Sequence, residues 1–498
     1  MSRDRTSYLA IDLGASSGRA MIGVLEDGVM RLDEVHRFRT PLVDDDAHLR
    51  WDIELLTGEV FRSLAVALQR EPTLRSVSVD SWGVDYVPLA PDGSPVRSPY
   101  AYRDQRTAGL MCAAADMIGA ARVYEVTGIQ FMDINTLPQV LADVRHEPLQ
   151  LASTASRLLI ADYMLYRLSG VAVAERTLAS TTQLMDVRRG SWSSELIGAV
   201  GDDVSRWPRI VAPGTALGPV LPAVLPAGIA TSPMVVATCS HDTAAAVAAV
   251  PADDAAPWAF ISSGTWSLVG AEIDAPNVTP GAFESGFTNE AGIDDTIRFL
   301  KNRMGMWVFE ECAREWGIAG NPVDYAAVLD AAAEASPPDV TLDLNAPEFA
   351  VRGDMLTTLA RARAAQGLAL PESRAGIVRL VVESLAISHR DAIEQLDALL
   401  GRRSAVIHVV GGGSRNRLLN QLTASACGRR VVAGPVEATA LGNLLVQARA
   451  MGDLPAGLTV RQVAARSATV ELFEPSDGAG MQGPDAVISD PHTTPTKA

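Results

Sequence analysis

Tyr8-Leu9-Ala10-Ile11-Asp12-Leu13-Gly14-Ala15-Ser16-Ser17-Gly18-Arg19, followed by the apolar run Ala20 to Leu25, reads as strand, glycine turn, strand. The same plan returns at residues 259–270, Ala259-Phe260-Ile261-Ser262-Ser263-Gly264-Thr265-Trp266-Ser267-Leu268-Val269-Gly270. Two apolar hairpins with small hydroxyl residues at their turns predict two related lobes, each opening on such a unit.

Between the copies, Pro213 to Pro233 is rich in Pro and Gly and is expected to be an extended surface crossing, not an element. It leads into a strand at Met234 to Thr238, which delivers Ser240-His241-Asp242-Thr243 to a helix over Ala244 to Val250. The break Pro251 to Pro257 then places the lobe boundary, giving domains 1–250 and 251–475 and a tail 476–498 whose composition predicts disorder. Later, Ile377 to Leu400 is an amphipathic helix and Ala405 to Val410 a strand. Gly411-Gly412-Gly413 precede a helix over Leu418 to Cys427, and a further helix begins near Glu437.

Composition narrows the classes. A chain of 498 residues that is 48% hydrophobic and 20% charged is long enough for about two to four domains with substantial cores. A net charge of -17 argues against a nucleic-acid footprint or an anionic-membrane partner. It leaves room for a local anion site built from a few cations and backbone N–H groups. The four cysteines are scattered without metal-site spacing, nothing after Met1 resembles a secretory segment, and no run reaches the roughly 18 apolar residues of a membrane span. The expectation is a cytoplasmic monomer or homodimer with reduced thiols.

Asp12 to Arg19 reads as a phosphate-binding turn, with Gly14 and Gly18 letting backbone N–H groups face an anion and Ser16, Ser17 and Arg19 adding donors. Asp12 at the strand end would then face the metal that accompanies ATP. An ordinary tight hairpin is the competing reading. Gly14-Ala15-Ser16-Ser17-Gly18 also matches a G-x-S-x-G nucleophile elbow, but an elbow needs a helix after the serine, and a strand-like run follows here. Thr265 in the second turn could donate to a β- or γ-phosphate, and Gly411 to Gly413 allow close approach of a flat ligand such as adenine. There is no G-x-x-x-x-G-K-[ST], which excludes a P-loop enzyme.

Phosphoryl transfer needs a carboxylate near the attacking hydroxyl, and Asp242, at a strand end just before the lobe break, suits that role. Its alternative role is to cap the helix that follows. Trp82-Gly83-Val84-Asp85 and Tyr102-Arg103-Asp104-Gln105-Arg106 offer the aromatic surface and charged groups of a polyol pocket, or are plain hairpin and loop residues.

In order and wording these phrases, with Val410 to Asn416 and Gly434-Pro435-Val436-Glu437-Ala438, resemble the FGGY carbohydrate kinases over roughly Tyr8 to Phe473. The resemblance implies an α/β fold of two actin-like, ribonuclease-H-like lobes around an inter-lobe cleft. It implies ATP and Mg²⁺, Asp242 as general base, and the 1-hydroxyl of L-rhamnulose as acceptor, within L-rhamnose catabolism. Ala15, Ser16, Ser17, Gly18, Arg19, Thr265 and the Gly411, Gly412, Gly413 turn would contact ATP. Trp82, Gly83, Arg103, His241, Asp242, Thr243 and Asn302 would contact the sugar. Glu310 stands where related enzymes place a Gln that contacts ATP, and a carboxylate beside phosphates is repelled unless a proton or metal intervenes. The rival readings are another acceptor (L-fuculose, D-xylulose or glycerol), a non-catalytic actin-like ATP-binding protein, and a silent sugar sensor.

Overall fold

The structure is a computed structural model that describes residues 5–44, 47–229, 231–253 and 256–476. The opening hairpin forms as predicted: β1 (Thr6–Leu13) and β2 (Ser17–Glu26) pair antiparallel with Leu13 opposite Gly18, so the turn is only Gly14 to Ser16. β3 (Val29–Arg39) continues the meander, and α1 (Ile53–Arg70) returns the chain to β4 (Ser76–Ser81), parallel to β1. α1 starts where the Asp52 carboxylate accepts from Leu55 N at 3.0 Å, and it buries Ile53, Leu56, Val60, Leu64, Ala67 and Leu68 on one helical face. Far along the chain, β5 (Thr215–Pro219) and β6 (Met234–Ala237) complete a six-stranded sheet ordered β5-β6-β4-β1-β2-β3, and α2 (Asp242–Ala248) follows.

The second sheet begins with the second hairpin, β7 (Trp258–Ser263) and β8 (Trp266–Ile273). β9 (Thr288–Ala291), β10 (Ile297–Met304), α3 (Trp307–Ile318), α4 (Tyr325–Glu334) and α5 (Arg374–Leu400) follow. The chain closes with β11 (Val406–Val410), α6 (Arg417–Cys427), β12 (Arg430–Ala433), α7 (Ala438–Ala450), α8 (Val460–Ser467) and β13 (Glu471–Phe473). The order is β9-β10-β8-β7-β11-β12-β13. Leaving β9 aside, both sheets run three antiparallel strands, two parallel strands and an antiparallel edge. The sequence repeat is thus a repeat of topology, with a glycine turn at the C-terminal end of the first strand of each sheet.

β1 is buried from Ser7 to Leu13, as a strand covered on both faces must be. Leu9, Ile11 and Leu13 join α1 in one core, while Tyr8 and Ala10 join α2, α7 and α8 in another that also holds Phe260 and Val410 of the second sheet. The helices at the C-terminal end therefore return to cover the first sheet. Gly442 of α7 lies so close to α2 that a Cβ there would meet Ala245 O at 1.8 Å.

One expectation is corrected. Pro213 to Pro233 is not wholly an extended crossing, because Thr215 to Pro219 pair antiparallel with β6 as an edge strand. An edge tolerates Pro219 and the irregular register at Gly218, the residues that argued against an element. The expected disordered tail falls on 477–498, outside the described residues. Among the described residues no helix is long and apolar enough to cross a membrane, and Cys112, Cys239, Cys312 and Cys427 are free thiols.

Candidate active site

A cleft of about 1210 Å³ opens between the sheets, and both glycine turns end on it. From the first lobe it is lined by Asp12, Ala15, Ser16, Ser17, Arg19, Trp82, Gly83, Arg103, His241, Asp242 and Thr243; from the second by Thr265, Asn302, Glu310 and Gly411 to Gly413. Of the residues expected to contact ATP, the sugar or the metal, Gly18 alone does not line it. Gly18 faces Phe38, whose ring a Cβ would meet at 2.2 Å, so its smallness serves packing beneath the turn.

Asp242 is the first residue of α2, and His241 occupies the capping position without a side-chain cap bond. Asp242 Oδ1 accepts from Thr243 N at 2.5 Å and Thr243 Oγ1 at 3.1 Å, and its side chain is 34% exposed to the cleft. The loop before it is held by a residue the sequence did not flag. Buried Glu175 accepts from Ser240 N at 3.0 Å and from Thr177 N, Thr177 Oγ1 and Leu178 N, while His241 N donates to Thr177 Oγ1 at 3.3 Å. Burial lifts the Glu175 carboxyl above its ordinary range, and these bonds offset part of that rise.

Asp12 Oδ2 accepts from Arg19 Nη2 at 2.8 Å, and Arg19 Nη1 donates to Glu437, just before α7. Asp80 sits directly beside Asp12 in the parallel pairing of β1 and β4, and its Oδ2 accepts from Asn443 of α7 at 2.5 Å. Asp80 Oδ1 is buried without a hydrogen-bond partner. Burial, then the Asp12 charge, raises Asp80 well above the usual carboxylate range; burial, against the opposing pull of Arg19, also raises Asp12, with the charge of Asp242 adding to it. Among the described residues no cluster of three or more acidic, His or Cys side chains could hold a metal by itself. Burial and the repulsion among Asp12, Asp80 and Asp242, which hold the first two carboxyls above their ordinary range, instead fit a hard cation that arrives with phosphates and takes one or two protein carboxylates.

At the triple-glycine turn, Gly413 packs so tightly on β7 that a Cβ would lie 2.0 Å from Ser263 Oγ, and Gly411 has φ +83°. The turn can cross the strand end only as glycine. Met306, Tyr325 and Leu329 supply an apolar wall beside it. Glu310 accepts from Thr265 Oγ1 at 3.3 Å, and burial raises its carboxyl.

At the Trp82 and Arg103 segments, Asp85 is not a lining residue but a brace. It accepts from Trp51 Nε1 at 2.7 Å, Trp82 Nε1 at 3.0 Å, Tyr102 N at 3.1 Å and Gln139 Nε2 at 3.0 Å, joining the two segments proposed for the pocket; burial pushes its carboxyl up to about 6. The Arg103 guanidinium spans the cleft between the Tyr102 ring (5.5 Å) and the Trp307 ring (5.2 Å). Asn302 Nδ2 donates to Gln130 Oε1 at 3.2 Å. Glu290 and Arg298, on β9 and β10, also reach His241. The signal that could have found them is a charged residue on each of two otherwise apolar or uncharged stretches, Thr288 to Ala291 and Ile297 to Leu300.

The family model of the FGGY family of carbohydrate kinases, N-terminal domain, matches residues 7–249, and that of the C-terminal domain matches 259–451. The chain is 39% identical over 476 residues to a rhamnulokinase of Bacteroides thetaiotaomicron, covering 95% of this chain and 97% of that protein. It is 36% identical over 476 residues to one of Bacillus subtilis, covering 94% and 96%. Among solved structures, xylulose kinase from Lactobacillus acidophilus aligns with TM-score 0.77 at 17% identity, over 95% of this chain and 94% of that one. Glycerol kinase from Plasmodium falciparum with ADP aligns with TM-score 0.75 at 13% identity, over 95% and 94%. These structural likenesses bear on the fold alone, that of two actin-like lobes.

Proposed function

Since the chain belongs to the FGGY family of carbohydrate kinases and is a sugar kinase using ATP, we propose that it phosphorylates the 1-hydroxyl of L-rhamnulose with Asp242 as general base. The observation that carries the assignment of the base is the meeting of the Asp242 carboxylate with both glycine turns in one cleft. L-rhamnulose is favoured as acceptor because relatives alike over nearly the whole chain are rhamnulokinases.

Asp242 accepts the proton of the attacking hydroxyl, and Arg19 with the N–H groups of the two turns stabilises charge on the transferred phosphoryl. Asp12 would hold Mg²⁺ together with the phosphates, and the ion would neutralise charge on the β- and γ-phosphates. Trp82, Gly83, Arg103, Thr243 and Asn302 orient the sugar, and the walls of the cleft exclude water around the transfer.

ADP release with ATP and Mg²⁺ is measured against L-rhamnulose, L-fuculose, D-xylulose and glycerol. L-rhamnulose should give the highest kcat/KM; a better rate with any other overturns the acceptor. Asp242→Asn should lower kcat by about 10²- to 10⁴-fold. Near-parental turnover in that variant would remove Asp242 as the base.

A further inference from the structure

Beside the proposed base, with Glu290 reaching the cleft wall, lies a buried ion pair that the mechanism does not use. Glu290 and Arg298 are direct cross-strand partners on β9 and β10, with Arg298 Nη1 at 3.0 Å from Glu290 Oε2 and both side chains almost wholly buried. Arg298 Nε donates to Ala291 O at 3.0 Å, which with Glu290 fixes the plane of the guanidinium. Its third contact leaves the second lobe: Nη2 lies 3.1 Å from His241 Nδ1. The opposite ring nitrogen, His241 Nε2, lies 3.3 Å from Asp242 Oδ1. β9 itself is docked on the first lobe, Asn289 N donating to Gly128 O at 2.8 Å and Ala291 N to Ser180 Oγ at 2.9 Å.

A guanidinium has only donors, so the ring nitrogen facing it must accept. Nδ1 therefore carries no proton, and Nε2, 3.3 Å from Asp242 Oδ1, carries it. Glu290 Oε2 is also 3.4 Å from Nδ1, but it stands closer to the cation and balances that charge. Burial would raise the Glu290 carboxyl, yet the Arg298 guanidinium beside it brings it below its ordinary range, so it stays ionised. Among the described residues, Thr243 N and Thr243 Oγ1 donate to Asp242 Oδ1, and His241 Nε2 faces the same oxygen at 3.3 Å. Oδ2 is left as the basic oxygen.

We propose that Glu290 and Arg298 are positioning residues, which fix the His241 tautomer and through it hold the Asp242 carboxylate with Oδ2 free for the acceptor hydroxyl. This rests on Asp242 being the base. A buried ion pair is a poor device for stability alone, since apolar residues of similar volume usually replace one without loss, whereas an orienting role needs the charges.

The test is the double variant Glu290→Leu/Arg298→Met, which leaves no lone buried charge and should fold, alongside the single change Arg298→Lys. The double variant should melt close to the parent, keep its KM for ATP within about twofold, and lose about 10- to 100-fold in kcat, the usual effect of removing an orienting partner. Arg298→Lys retains a donor and should recover part of that loss. In an Asp242→Asn background the double change should lower kcat no further, because the group it orients is gone. Parental kcat in the double variant, or an equal further loss in that background, overturns the positioning role. Parental activity in Asp242→Asn alone overturns the base instead, so the two failures are distinct.

Discussion

Arg19 and Glu437 form an ion pair across the cleft, joining the first hairpin to the segment that opens α7. The guanidinium proposed to meet the phosphates is thus already held by Asp12 on one side and Glu437 on the other. Glu437 is the negatively charged group that incoming phosphates would displace.

Glu437→Gln should therefore lower the KM for ATP. Both side chains are about a quarter exposed, so the pair contributes at most about 1 kcal/mol, or about fivefold in affinity. Initial rates over an ATP series at saturating sugar measure it. A rise in KM would mean that Glu437 helps hold the nucleotide and does not compete with it.

The hairpins were legible in sequence because turn chemistry is local: glycines and small hydroxyls between apolar runs carry their own geometry. Asp242 was legible as a choice between cap and base, and the structure narrows that choice by giving the capping position to His241. Glu175, Glu290 and Arg298 were not legible. Each acts on a segment far away in the chain, and only the docking of β9 and of the Glu175 turn against the 240–243 loop brings them there. The packing of Gly18 was not legible for a related reason, since the Phe38 ring it accommodates comes from the next strand.

His389 of α5 gives a prediction in pH. It is buried between Thr423 Oγ1 and Ser267 Oγ, each at 3.1 Å, and burial lowers it to about 4. Unfolded, an ordinary His takes up its proton near pH 6.5. Between those values the unfolded chain binds more protons than the folded one, so this contribution is complete above pH 6.5 and is lost as pH falls towards 4. The shift corresponds to about 3 kcal/mol at most. His389→Gln can still bond both hydroxyls but does not titrate. Urea unfolding of parent and variant from pH 7 to 4.5 should show a shallower loss in the variant, and taking the difference cancels opposing groups such as Asp85. Parallel curves would show that His389 is protonated within the fold.

Glu310 carries the last prediction, because a carboxylate on this wall of the cleft would face incoming phosphates. Its carboxyl lines the nucleotide side of the cleft, accepts from Thr265 Oγ1, and is raised by burial, with the Thr265 bond and Arg103 opposing that rise. A raised carboxyl is neutral over more of the acid range and becomes an anion as pH climbs through its folded pKa. Only the anion repels phosphates. The KM for ATP of the parent should therefore increase from mildly acid to neutral pH. Glu310→Gln keeps an acceptor for the Thr265 hydroxyl and cannot ionise, so its KM for ATP should stay flat over that range and lie a few-fold below the parent at neutral pH. KM measured at several pH values, with kcat followed separately, isolates the effect from changes in the chemical step. If Glu310→Gln instead raises the KM for ATP at every pH, the carboxylate is a favourable contact, and a cation must stand between it and the phosphates.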